Sequence, residues 1–247
     1  MATTQSSTEA AVHPVNPRPR PMPWPLNIYQ TAVGKKWVMA ITGLMGIGFL
    51  VAHMLGNLKM YLGATALNHY AEGLREFGDP FAPREAVLWI LRIGLLVAVV
   101  LHVHAAFSLW RMNRRTHPEA YRSKRDYIAA NWASRTMRWT GPIVLLFLFY
   151  HLSDLTFGGQ NPSFQSGEVY HNVVVSFSRP AVAAFYVIAN LALGVHLFHG
   201  AWSMFQSMGV NSPQYNGLRR VFAILLTIAI IGPNLSFPIA VQLGIVG

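Results

Sequence analysis

The sequence predicts an all-α integral membrane protein, a bundle of five transmembrane helices, on three observations. Charged residues make up only 11% of the 247 residues, whereas a soluble domain runs near a quarter. The mean hydropathy is +0.34. The basic residues stand in short blocks between long apolar stretches, as in membrane proteins whose cytoplasmic loops are cationic. The formal net charge of +10 therefore does not argue for nucleic acid as a partner. With no cysteine in the chain, disulfides, thiolate zinc sites, cysteine-held iron–sulfur clusters and covalent haem attachment are excluded.

Residues 1–35 are rich in Ser, Thr and Pro, with NPRPRPMPWP at 16–25, and read as an extended cytoplasmic tail. No apolar run precedes a small-residue cleavage site there, which argues against a secretory signal. Residues 36–247 form the transmembrane domain, with helices expected at about 37–62, 86–112, 139–157, 180–208 and 221–243. Each is long enough to cross a hydrocarbon core of ~30 Å. The first opens on Lys35 and Lys36, the second contains Arg92, and the third follows the most basic stretch, 111–138. The fifth follows a short loop carrying Arg219 and Arg220. Between them, 63–85 is polar with nearly cancelling charges and 158–178 is almost uncharged, so both read as loops. Basic blocks at 35–36, 111–138 and 219–220 then share one side, which puts the N-terminus in the cytoplasm and the C-terminus outside.

Six of the ten histidines fall inside these apolar spans: His53, His102, His104, His151, His196 and His199. An imidazole inside a bilayer costs free energy and marks a ligand, a proton relay or a substrate path. Helical rise gives each a height. His53 stands roughly 25 Å and His151 about 20 Å from the cytoplasmic surface, against about 14 Å for His102 and about 16 Å for His196. Two histidines thus share an outer level and two an inner one, from four different helices. A b-type haem needs two axial imidazoles facing each other across its iron, and this array offers that twice: His53 with His151, and His102 with His196. A single buried histidine reads as a polar side chain bonded to a neighbouring helix. Zinc fits poorly, because four ligands at two heights cannot converge on one ion. A proton relay would enlist acidic side chains, and Asp154 is the candidate. Arg92 could hold a haem propionate or snorkel to the interface. Gly43, Gly46, Gly56, Ala105, Ala106, Gly194 and Gly200 flank the histidines and leave room for a flat porphyrin or for close helix packing.

Three stretches carry a family resemblance: AVGKKWVMAITGLMGIGFLVAHMLGN at 32–57, LHVHAAFSLWRMNRR at 101–115 and HLFHGAWSMFQSMG at 196–209. They resemble the cytochrome b membrane anchor of succinate dehydrogenases and fumarate reductases, in its single-chain, five-helix, two-haem form. The resemblance runs from about Trp24 to the end. It implies axial ligands at His53 and His151 for the outer haem and at His102 and His196 for the inner one. The spacing to the Asn-Arg that ends helix two favours His102 over His104, and the first position of H-x-x-x-G-x-W favours His196 over His199. It further implies a subunit without a succinate site of its own, in a bacterial cytoplasmic membrane. A flavoprotein and an iron–sulfur subunit would dock on its cytoplasmic face. Electrons would pass through two haem b groups to a quinone, menaquinone in relatives of this type. Glu72 and Glu76, after the first helix, read either as residues serving a quinone near the outer haem or as a solvated loop face, which their charge pattern favours. The resemblance also allows a higher oligomer of the complex. Related fumarate reductases carry a proton-moving acid two residues before the helix-four ligand, where this chain has Gly194. Two other classes compete: the cytochrome b subunit of a hydrogenase or formate dehydrogenase, and a haem-free transporter with histidine-based proton coupling.

Overall fold

The computed structural model describes residues 22–116, 128–210 and 212–247. The tail before residue 22, positions 117–127 of the basic stretch and Asn211 lie outside the described residues. Eight α-helices occur among the described residues: α1 Leu26–Gln30, α2 Ala32–Asn57, α3 Ala64–Glu76, α4 Ala86–Thr116, α5 Ile128–Leu155, α6 Val169–Phe177, α7 Pro180–Ser207 and α8 Asn216–Gln242. Five of them, α2, α4, α5, α7 and α8, are 26 to 31 residues long.

Among the described residues, four stretches are long and apolar enough to cross a membrane: Ala32–Leu62, Ala86–Arg114, Pro180–Ser207 and Pro213–Gln242. The protein is thus a multi-pass membrane protein. The apolar part of α5 is shorter, because it starts only after Arg138 and runs into Asp154. The outer surface of α4 fits lipid, with Ile90, Leu91, Ile93, Leu96, Val97 and Val100 all exposed. A continuous apolar face of that size is not stable in water.

Several expected boundaries move, each for a local reason. The segment before residue 37 is not all extended tail. Residues 26–30 form α1, and α2 starts at Ala32 because the Thr31 hydroxyl accepts the Gly34 N–H at 2.9 Å. Lys35 is not a solvated flank charge. Its ammonium donates to the carbonyls of Tyr29 at 2.7 Å and Gln30 at 3.3 Å, closing the open end of α1. The polar segment 63–85 contains α3, and the loop 158–178 contains α6, so both connections are helical caps on one end of the bundle. The third long helix begins at Ile128 rather than 139, and α8 begins at Asn216 rather than 221. Arg219 is therefore inside a helix and only 3% exposed. Its guanidinium donates to the Val210 and Ser212 carbonyls and to Asn216 Oδ1, tying the preceding turn.

α7 packs most closely on α8 and on α5, and α2 on α4. Neither α2 with α5 nor α4 with α7 is among the closely packed pairs; they stand diagonally, and only side chains reach between them. The core at the α3 end joins Met60, Leu67, Phe177, Tyr186, Phe237 and Val241. A second cluster, around Leu197, Ile230 and Ile231, lies farther along α7 and α8.

Candidate functional site

The histidines meet across those diagonals. On the α3 side of the bundle, His53 of α2 faces His151 of α5 with ring centres 5.8 Å apart. On the α1 side, His102 of α4 faces His196 of α7 at 6.3 Å. Two imidazoles sharing one metal stand roughly 6 Å apart centre to centre, given metal–nitrogen bonds of ~2 Å. Among the described residues no three His, Asp or Glu side chains converge on one point. Facing pairs of neutral nitrogens suit a metal whose other four positions are already filled in a plane, the donor set of a b haem.

The α1-side pair is held through its second nitrogens. Thr42 Oγ1 lies 3.1 Å from His102 Nδ1, and Thr140 Oγ1 lies 3.5 Å from His196 Nδ1. Beside each threonine a glycine lies against the ring. A Cβ on Gly43 would stand 3.5 Å from His102 Cε1, and one on Gly141 would stand 3.9 Å from His196 Cε1. Each threonine is 11 residues before the histidine of its own helix, since 53 − 42 and 151 − 140 agree. The two levels are therefore about 16 Å apart along the bundle. That is wider than the heights counted from flanking residues suggest.

The α3-side pair is backed by rings instead. Phe49 stacks on His53 at 5.2 Å, Phe147 lies 5.6 Å from His151, and Tyr186 stands edge-on to His151 at 5.9 Å. The Tyr186 hydroxyl donates to Asp154 Oδ2 at 2.9 Å. That carboxylate, with no exposure at all, also accepts from Ser176 Oγ and from Arg179 Nη2, the latter at 2.8 Å. The network ties α5, α6 and α7 together next to the histidine pair.

The remaining candidates are placed differently. His104 is turned out of the bundle, with its Nδ1 2.6 Å from the Tyr29 hydroxyl of α1. His199 and Trp202 hold buried ring nitrogens, Nδ1 and Nε1, without a hydrogen-bond partner, orphans of the kind that a bound polar group satisfies. Gly46 and Gly200 have nothing within 4 Å of the place a Cβ would take. Orphaned donors, open space beside the histidine helices and facing imidazoles all fit a large flat cofactor with polar edges. Arg92 is not drawn to either pair: it is exposed, its guanidinium 5.1 Å from the Trp89 ring centre. Glu72 is committed to Arg75 at 2.9 Å and to Arg84, and Glu76 is exposed on α3.

Sequence reasoning missed Thr42 and Thr140, and a signal for them exists. Residues 42–53 and 140–151 share the pattern T-G-x5-F-L-x2-H. Each arm thus supplies a histidine to one pair and a threonine and glycine to the other.

The fold and the site together define a multi-pass helical membrane protein with two stacked pairs of facing imidazoles. Residues 111–232 match the family model of the succinate dehydrogenase/fumarate reductase transmembrane subunit. The chain is also 24% identical over 194 residues to the succinate dehydrogenase cytochrome b558 subunit of Bacillus subtilis (strain 168), covering 77% of this chain and 88% of that one. No solved structure matches the chain significantly. The two matches support the family of membrane subunits of succinate dehydrogenase and fumarate reductase, and with it a membrane-anchor role.

Proposed function

We propose that this chain is the membrane anchor and electron-transfer subunit of a succinate:quinone oxidoreductase, of the single-chain type with five membrane crossings and two b haems. The carrying observation is the pair of facing histidine pairs on four helices, at 5.8 Å and 6.3 Å. The name of the Bacillus relative, a cytochrome b, agrees with it. In this reading α5 is the fifth crossing, and the α1 end, with Lys36, Arg111, Arg114 and Arg138, faces the cytoplasm. His102 and His196 hold the inner haem, and His53 and His151 hold the outer one.

Bound haem supplies one-electron transfer by cycling its iron between ferric and ferrous states. The protein supplies position and environment. His53, His151, His102 and His196 would hold the two groups at their two levels, and the apolar helices would keep water from them. A flavoprotein and an iron–sulfur subunit dock at the basic end, and electrons run from the inner level to the outer level and on to a quinone, menaquinone in this reading. The chain itself carries no succinate chemistry. The deciding experiment is a reduced-minus-oxidised spectrum of the purified protein with a pyridine haemochrome assay. Two b haems per chain are expected. An intact preparation without haem would exclude the electron-transfer role and leave a haem-free anchor or transporter.

A further inference from the structure

We propose that Thr42 and Thr140 are positioning residues that fix the tautomer of His102 and His196 and set the inner haem's potential separately from the outer one's. This rests on the two-haem reading above. The Thr42 hydroxyl donates its proton to the Val38 carbonyl at 2.7 Å, and the Thr140 hydroxyl donates to the Thr136 carbonyl at 3.1 Å. Such back-bonding one turn up the helix is a common use of a threonine in a helix interior. A hydroxyl has one proton. With that proton committed, the oxygen can only accept from the imidazole. His102, whose ring also bonds the Met39 backbone, therefore carries its proton on Nδ1 and offers the Nε2 lone pair, and His196 does the same more weakly at 3.5 Å. The bond fixes ring orientation and makes the ligand nitrogen more basic, as outer hydrogen bonds to metal-binding imidazoles do. A more basic ligand favours the ferric state and lowers the potential.

The arrangement crosses between levels. Thr42 sits on the helix that brings His53, and Thr140 on the helix that brings His151. Each arm of the T-G-x5-F-L-x2-H repeat thus holds one haem directly and tunes the other through a hydroxyl. Nothing equivalent serves His151, whose Nδ1 is buried without a partner.

The test uses the full chain, purified with its partner subunits, in four forms: wild type, Thr42→Val, Thr140→Val and Thr42→Ser. Haem is counted by pyridine haemochrome, and the two midpoint potentials are separated by redox titration. Both valine variants are expected to raise the inner midpoint and leave the outer one unmoved. Thr42→Val should shift it further, since its bond is the shorter, and Thr42→Ser should return to the wild-type value. Loss of the inner haem alone in Thr42→Val, with retention in Thr42→Ser, also supports the assignment. Two haems with both potentials unmoved in the valine variants would overturn this assignment and leave the haem ligands standing. A wild-type protein without haem would overturn the ligands and this assignment together.

Discussion

The two ends of the bundle solve the same problem with different materials. At the α1 end the imidazoles of His102 and His196 are set by threonine hydroxyls and flanked by Gly43 and Gly141. At the α3 end His53 and His151 are wedged by Phe49, Phe147 and Tyr186, with a fully buried Asp154, paired to the partly exposed Arg179, one turn away. A hydroxyl that accepts from an imidazole acts on the electrons of the ring, whereas aromatic packing fixes the ring and leaves its electrons alone. One repeated sequence pattern therefore builds two sites of unlike character. In the electron-transfer reading, that unlikeness would set the potentials of the two haems apart.

The largest expected effect comes from removing a ligand. His102→Ala or His196→Ala should halve the haem per chain by emptying the inner level, and His53→Ala or His151→Ala should halve it by emptying the outer one. Separate spectra of the two haems decide which is lost. A single variant that keeps both haems would break the pairing, and one that loses both would show that the levels do not form independently.

A smaller effect, confined to the α3 end, is expected at Asp154. Its carboxylate accepts from Ser176, Arg179 and Tyr186 and is wholly buried. In Asp154→Ala those donors lose their acceptor, and a cation remains in a poorly hydrated place. Breaking a buried pair costs several kcal/mol; discounted for an Arg179 side chain that is 31% exposed, the loss is about 2–3 kcal/mol. Thermal unfolding in detergent should show it. The outer haem's spectrum should change with it while the inner haem's does not. Equal changes in both would mean that Asp154 supports the bundle as a whole rather than the outer level.

Much of this layout is legible in the sequence, and the exceptions have physical causes. The long helices announce themselves because a bilayer demands a continuous apolar run. The pairing of His53 with His151 and of His102 with His196 follows from height alone, and the structure sets those rings against each other. The caps α3 and α6 escape notice because they are short, are bounded by Gly and Pro, and bury a single narrow face each. Lys35 and Arg219 read as solvated charges, since a sequence does not reveal that backbone carbonyls gather around them. Thr42 and Thr140 are hidden for a similar reason. A lone hydroxyl in an apolar helix has an ordinary partner in its own backbone, and only the repeat of the whole pattern gives it meaning.

The smallest effect sharpens the choice between neighbouring histidines on α4. His102 and His104 are two residues apart and so point to different faces of the helix. His102 is turned to His196 and Thr42, while His104 is turned to α1, where Tyr29 reaches it at 2.6 Å and lies stacked on it at 5.7 Å. His104→Ala should therefore keep both haems and both potentials. It removes one hydrogen bond and one ring contact from the seat of α1, a loss of about 1 kcal/mol, and Tyr29→Phe should lose a similar amount. Because the two share one contact, the double variant should be no worse than the sum and somewhat better, which a comparison of melting temperatures can read. If His104→Ala instead empties the inner level, the ligand on α4 is His104, and Thr42 is bonded to a histidine that holds no iron.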